Sequence, residues 1–275
     1  MSKKVLISLI LLVFGWTSYA FAGAWTVPEN HWYAELYSKY YHANSEYDAS
    51  GNNTGFGYNG KSREMSYDFK LEYGVRDDFN ILVAIPYKRA KWKDDFKTQT
   101  THGISDIWVR AKYRYITAPP GTASMQLGLK CPTGYHENDV PSIGTGQVDG
   151  EIRFLFGATL PHVHSYSGLE IGFKGRTEER TNEIVYLAEY GYMPTDYLLL
   201  KGLIEGVEGV SGTGDIEQDY TKFDISLIFK LAGSGWSTVY RDEPSVNLEL
   251  GYGRTFAGKN TSQGKEYIVT LSSQF

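Results

Sequence analysis

The chain has 275 residues, one cysteine, and 27 Lys and Arg against 32 Asp and Glu, for a formal charge of −5. A lone Cys131 excludes an internal disulfide and a cysteine metal cluster, and the acidic balance argues against a nucleic-acid partner. The length would suit one or two domains, but no linker, charge block or low-complexity tract divides it.

The first element is a leader. Lys3 and Lys4 form a basic start, residues 5–14 an apolar stretch, and Ala20-Phe21-Ala22 a small-residue cleavage site. These are the three parts of a secretory signal peptide, so residues 1–22 are expected to be removed, leaving Gly23 first. The apolar run is shorter than the roughly 20 residues that span a bilayer as a helix. Nothing else in the chain approaches a transmembrane helix.

From Ser62 onward the dominant signal is alternation. Met65, Tyr67, Phe69, Leu71, Tyr73 and Val75 are interleaved with Ser66, Asp68, Lys70, Glu72 and Gly74. A period of two gives a strand with one apolar and one wet face. The average hydropathy looks soluble because alternation hides the apolar face.

In chain order, the first strand turns Trp32, Ala34, Leu36, Ser38 and Tyr40 outward; residues 65–75 form the second. The third shows Phe79, Ile81, Val83, Ile85 and Tyr87, and the fourth Ile107, Val109, Ala111, Tyr113 and Tyr115. Arg110, Lys112 and Arg114 lie between the latter, so the inner face of that strand is strongly basic. The fifth carries Met125, Leu127, Leu129 and Cys131, and the sixth Val148, Ile152, Phe154, Phe156 and Ala158. Weaker seventh to ninth strands are marked by Leu169, Ile171 and Phe173, by Ile184, Tyr186, Ala188 and Tyr190, and by Leu198, Leu200 and Ile204. Residues 223–231, 246–252 and 267–275 complete about twelve strands, an all-β, antiparallel, up-and-down transmembrane β-barrel over residues 23–275.

Connection lengths give an orientation. Links after odd strands are mostly long and polar (residues 43–61, 93–103, 133–146, 208–219), whereas links after even strands are mostly short, with 232–244 an exception. Outer-membrane barrels of Gram-negative bacteria carry long loops outside and tight turns in the periplasm, which puts both termini on the periplasmic side. Tyr40, Tyr73, Tyr87, Tyr113, Tyr115, Tyr192, Tyr252 and Tyr267 near outer-face strand ends read as an aromatic girdle. A soluble sandwich explains any one stripe but not so many exposed aromatic ends.

The inward register collects similar numbers of acids and bases. Mixed signs at this density cross-link rather than line a one-sign ion filter. About twelve strands leave room for a narrow channel, not for the open lumen of a sixteen-stranded porin. A salt-bridged interior that only holds the wall together and a narrow gated pore both fit.

Three stretches carry a family resemblance: Gly103-Ile104-Ser105-Asp106-Ile107-Trp108 running to Lys112-Tyr113, Lys130-Cys131-Pro132-Thr133-Gly134, and Gly144-Thr145-Gly146-Gln147-Val148-Asp149. In that order, with Ala24-Trp25-Thr26 and Ile85-Pro86-Tyr87, the sequence resembles the outer-membrane barrel transporters of the MetA-pathway of phenol degradation family. Cys131 stands where a larger apolar residue is expected. The resemblance implies passive passage of small, often hydrophobic or aromatic compounds across the outer membrane, without naming a substrate.

Two candidate sites follow. Folding the fourth to sixth strands as neighbouring hairpins brings Asp106, Lys130 and Asp149 inward at similar height near the outer mouth, as a charged latch or an ordinary rim ion pair. Pro86, mid-strand, removes a ladder bond and is expected to force a bulge or bend; with Ile85 and Tyr87 it could mark a lateral exit into the membrane. No catalytic residues, cofactor motif or metal site are expected. His31, His42, His102, His136, His162 and His164 have no serine beside them in a catalytic pattern, and His162 and His164 lack a third ligand. The partners expected are membrane lipid and a small-molecule permeant, with a monomer as default; the long loops leave a surface-binding role open.

Overall fold

The computed structural model describes residues 23–118, 121–135, 139–177, 181–211, 218–234 and 244–275. The expected signal peptide lies outside them, as do His136 and most of the 232–244 link.

Alternation becomes twelve long strands. They are β1 (Trp32–Tyr47), β2 (Lys61–Arg76), β3 (Phe79–Lys93) and β4 (Ile107–Ala118). Then come β5 (Gly121–Cys131), β6 (Asp149–Leu160), β7 (Ser165–Arg176) and β8 (Asn182–Thr195). The last four are β9 (Leu198–Ser211), β10 (Asp219–Ala232), β11 (Ser245–Lys259) and β12 (Thr261–Gln274). Each pairs antiparallel with its chain neighbours, and β12 returns to β1 from Tyr33↔Gln274 to Tyr47↔Thr261. Closure leaves no sheet edge in the barrel wall, the condition for a strand structure to sit in hydrocarbon.

Exposure is inverted relative to a soluble protein. Ile171 is 53% exposed on the outer wall, while Glu151 on the inner wall is 5% exposed. Phe69, Val109, Leu127, Phe154, Ile204 and Leu271 belong to the same outer band. Such a surface is stable only against lipid.

The strands reach farther than hydropathy shows. β1 runs on to Tyr47, and half of the stretch expected as a loop over 93–103 is a short strand, Thr98–Ile104, paired with the upper half of β3. A second short strand, Asn53–Gly55, pairs with the end of β1. Beyond the lipid band both faces of a strand are wet, so hydrogen-bond pairing continues without an apolar partner to every polar residue. For the same reason Tyr40 and Tyr267 lie mid-strand rather than at strand ends. Two links depart from the long-after-odd pattern: only residues 177–181 separate β7 from β8, and β11 turns into β12 through Asn260 alone, in the left-handed region at φ 48°. The rim at the long-loop end is uneven, since β1 and β2 have 16 residues but β5 and β6 only 11 and 12.

At the opposite, turn end the chain before β1 folds back into the barrel. Asn30 N–H donates to the Gly74 carbonyl at 2.8 Å and Gly74 N–H to the His31 carbonyl at 3.0 Å. A Cβ at residue 74 would overlap the Pro28 carbonyl, so glycine there is what lets residues 23–31 cross the inner wall.

Candidate functional site

A polar cluster stands inside the barrel at the long-loop end. Register sets Lys130 of β5 opposite Asp149 of β6, and Trp108 of β4 on its other side. The Lys130 ammonium lies 2.5 Å from an Asp149 oxygen and 3.4 Å from an Asp106 oxygen, with all three side chains buried. Tyr135 and residues 143–147 of the link between β5 and β6 fold inward onto this cluster. Thr145 donates to Asp106 from its backbone N–H at 3.0 Å and from its hydroxyl at 3.2 Å, and Lys130 also donates to the Thr145 hydroxyl. Tyr135 bonds the other Asp106 oxygen and accepts from Gly146 N–H at 2.5 Å. Ser105 donates to the Ile143 carbonyl, with Ile143 fully buried, and Gln147 donates to Asp149 at 2.8 Å. Short β5 and β6 leave the notch that this segment fills.

The basic face of β4 is spread over the barrel's height rather than gathered at one mouth. Arg110 lies mid-lumen, its guanidinium 4.2 Å from the Trp108 ring centroid and 3.6 Å from Glu151. Lys112 is buried against Glu72 at 2.9 Å. Arg114 sits at the turn end, where its backbone N–H meets the Asp78 carbonyl and its guanidinium the Asp77 carbonyl at 2.9 Å. Arg110, Lys112 and Arg114 therefore do not join the Asp106 cluster; β4 runs from one end of the barrel to the other and carries each to its own height.

Pro86 faces the lumen, with Ile85 and Tyr87 on the lipid side. Its partner in β2 is Asp68, and its carbonyl accepts from Ser105 N–H at 2.7 Å. Tyr87 pairs with Ile104 and Ala84 with Trp108, so Ile85 and Pro86 face the three residues Ser105, Asp106 and Ile107. One residue too many opposite a proline is a bulge, and it separates the short strand from β4. That bulge turns Asp106 into the lumen.

Mid-lumen side chains are cross-linked. Lys70 meets Glu35 at 2.6 Å, Lys201 meets Glu249 at 2.7 Å, and Lys222 meets Glu266 at 2.5 Å and Glu205 at 3.0 Å. Arg153 is held by Glu151 at 2.7 Å and Glu170 at 3.1 Å. Between them lies a cavity of about 390 Å³ whose lining intersperses charged side chains such as Lys39, Lys70, Lys201 and Asp224 with Tyr37, Leu187 and Leu203. A smaller one of about 270 Å³, sharing Asp68 and Lys70 with it, reaches Pro86, Asp106 and Lys130. Among the described residues no group of three or more His, Cys, Asp or Glu is placed to hold a metal ion.

At the turn end the inside of the barrel holds apolar packing that is not expected from alternation. Ala24 and Trp25 enter a nest of Leu155, Tyr166, Met193, Leu199 and Ile228, with the Trp25 and Tyr166 rings edge to face at 6.4 Å. Ser124 donates to the Ala24 carbonyl, and Thr26 to the Asp77 carbonyl at 2.5 Å. A Cβ at Gly157 would overlap the Trp25 ring. The sequence signal was a break in alternation: Phe154-Leu155-Phe156, Leu198-Leu199-Leu200 and Leu227-Ile228-Phe229 are continuous apolar runs, all ending at the same height. A strand apolar on both faces in a barrel needs an apolar filling.

No protein-family model matches the chain, and no curated protein matches it. Among solved structures it is similar to the COG4313 outer membrane channel from Pseudomonas putida F1, with a TM-score of 0.74 and 14% identity over 94% of this chain and 100% of that one. The NanC porin aligns at a TM-score of 0.50 and 8% identity over 87% of this chain and 98% of that one. At these identities the likeness is one of fold: the chain has the closed twelve-stranded architecture of outer-membrane barrel channels.

Proposed function

We propose that the protein is a gated outer-membrane channel for passive uptake of small hydrophobic or aromatic compounds, a transporter of the kind grouped as the MetA-pathway of phenol degradation family. In this reading residues 1–22 are a cleaved signal peptide, the long loops face the cell exterior, both termini are periplasmic, and the barrel works as a monomer.

The observation that carries it is the cavity of about 390 Å³ between the polar cluster at the long-loop end and the apolar packing at the turn end, which we read as two separable closures. Its size is that of small-molecule sites. Its lining mixes Tyr37, Leu187 and Leu203, a surface for a ring, with charges already engaged to one another, Lys201 to Glu249 at 2.7 Å and Lys39 to Glu266 at 3.7 Å, so an acid group would enter by exchanging with one of those carboxylates. Each closure is completed by a segment outside the wall, Ala24 and Trp25 at one end and Thr145 with Gly146 at the other, so withdrawing that segment leaves the barrel intact. The smaller cavity at Pro86 supports a side exit between Ile85 and Tyr87, reached by relaxing the bulge rather than by breaking the β2–β3 ladder.

Purified protein in planar bilayers and liposomes tests this, comparing ions, sugars and small aromatic acids. Conductance with faster entry of aromatic acids than of sugars of similar mass is expected. A silent bilayer with no permeation would leave a structural or surface-binding barrel, and lipid or peptide cleavage would make it an enzyme. For the side exit, Pro86→Val restores the missing N–H; it is expected to slow apolar permeants while leaving ion conductance alone, and equal effects on both would remove that route.

A further inference from the structure

The outer wall carries a band of charge that neither closure uses. Register places Arg254 opposite Lys265, Lys265 opposite His42, His42 opposite Arg63, and Arg63 opposite Lys91. Five basic side chains thus stand in one unbroken row across β11, β12, β1, β2 and β3, all on the lipid-side face. One row nearer the rim Lys61 opposes Lys93, and one row nearer the membrane centre Arg89 follows Met65.

Like charges directly opposed on a sheet destabilise it. None of these side chains makes an ion pair among the described residues, although acids outnumber bases in the chain. Glu64 and Glu266 point the other way, into the lumen, and meet Lys39, while Glu46 is exposed at the far end of β1 and, among the described residues, makes no ion pair with the row. Asp94 and Asp95 in the adjoining loop are occupied by Trp92, Phe96, Lys97 and Asn59. Directly below the basic row, Tyr252, Tyr267, Tyr40 and Met65 form the upper border of the apolar band.

We propose that this face binds the phosphates of a bisphosphorylated glycolipid of the lipid A type, whose acyl chains lie along the aromatic and aliphatic wall beneath. Arg254 with Lys265 and Arg63 with Lys91, each pair at the strand spacing of roughly 4.8 Å, bridge phosphate oxygens with charge-assisted hydrogen bonds, the His42 ring between them adding a further hydrogen-bonding group, and opposed like charges turn from a cost into a site. The proposal rests on the reading that the long-loop end faces the outer leaflet.

Native mass spectrometry of the purified chain in detergent tests it, with four probes: bisphosphorylated lipid A, the same lipid without phosphates, phosphatidylglycerol, and inorganic pyrophosphate. Lipid A is expected to be retained in preference to the other three. The paired substitutions Arg63→Gln with Lys91→Gln, and separately Arg254→Gln with Lys265→Gln, are each expected to weaken it about tenfold or more. They act at opposite ends of the row, so one still reports if the other fails to fold, which heat-modified gel migration reveals. Dephosphorylated lipid or phosphatidylglycerol binding as well as lipid A, pyrophosphate binding alone, or undiminished lipid A on both variants overturns the site. Bilayer conductance separates the two readings: a silent wild type with intact lipid A binding removes the channel and keeps this site, while unaffected lipid A in conducting variants does the reverse.

Discussion

At the turn end, Trp25 is held by Leu155, Tyr166, Met193, Leu199 and Ile228; at the long-loop end, Asp106, Lys130 and Asp149 are held by Thr145, Tyr135 and Gln147. The first closure is non-directional and scales with buried apolar area. The second depends on a few polar contacts whose geometry must all be met at once. A ring can leave its nest gradually, whereas a desolvated lysine between two carboxylates is either satisfied or costly. The two ends are therefore suited to different triggers, force or binding at the turn end and charge at the other.

The strongest way to break this comparison is to remove the ring. Trp25→Ala is expected to cost about 3 kcal/mol of the burial that docks residues 23–28, raising the undocked population on the order of 100-fold. Barrel folding should persist, since no strand pairing is touched, and single-channel conductance should rise. Gly157→Ala evicts the same ring by steric overlap and should give the same conductance; two different conductances would show that Trp25 is not what closes this end.

Lys130→Gln probes the polar end. It leaves Asp106 buried without its cation and Asp149 with only Arg176 at 3.8 Å, at about 3 kcal/mol. The 132–148 segment should loosen, with more frequent opening in bilayer recordings, while Trp25 fluorescence stays as in the wild type. Unchanged conductance and permeation in this variant would reduce the cluster to a rim ion pair. Thr145→Val removes the hydroxyl alone and should reproduce the effect more weakly, by about 1 kcal/mol.

The smallest effect concerns the exposed loops, which hold no closure. Asp48 is kept below the usual aspartate range by the Asn52 backbone N–H, with further bonds from Ser50 and Gly51. Asp94 is lowered by the Trp92 indole N–H and by the Lys97 and Phe96 backbone N–H groups. A lowered carboxyl stabilises above its unfolded pKa and loses that contribution as pH falls through the folded one, so these turns should loosen only from about pH 4 downward. Hydrogen exchange of residues 50–52 and 96–97 across that range reads the change directly; loosening already at neutral pH would contradict it.

Legibility in the sequence followed where each residue sits relative to lipid. Met65 to Val75 could be assigned to faces residue by residue because one face is hydrocarbon and the other water. Thr98–Ile104 could not, since above the membrane both faces meet water and nothing marks the pleat. Pro86 announced a defect in a ladder, but the bulge fell on the partner strand, at Ser105 and Asp106, which no local pattern reveals. Leu199 and Leu155 broke the alternation visibly, yet their meaning required knowing that Trp25 reaches them.

Alternation alone determined an all-β cylinder with an apolar outside, a cross-linked inside and about twelve strands, because pleating is a property of each residue and its two neighbours. Only the tertiary structure decided that chain segments fold into the cylinder at both ends, the two closures of the proposed channel. Those closures join residues far apart in the chain, such as Ser124 to Ala24 and Thr145 to Asp106, and such contacts exist only once closing the sheet has brought distant strands to face one another across the lumen.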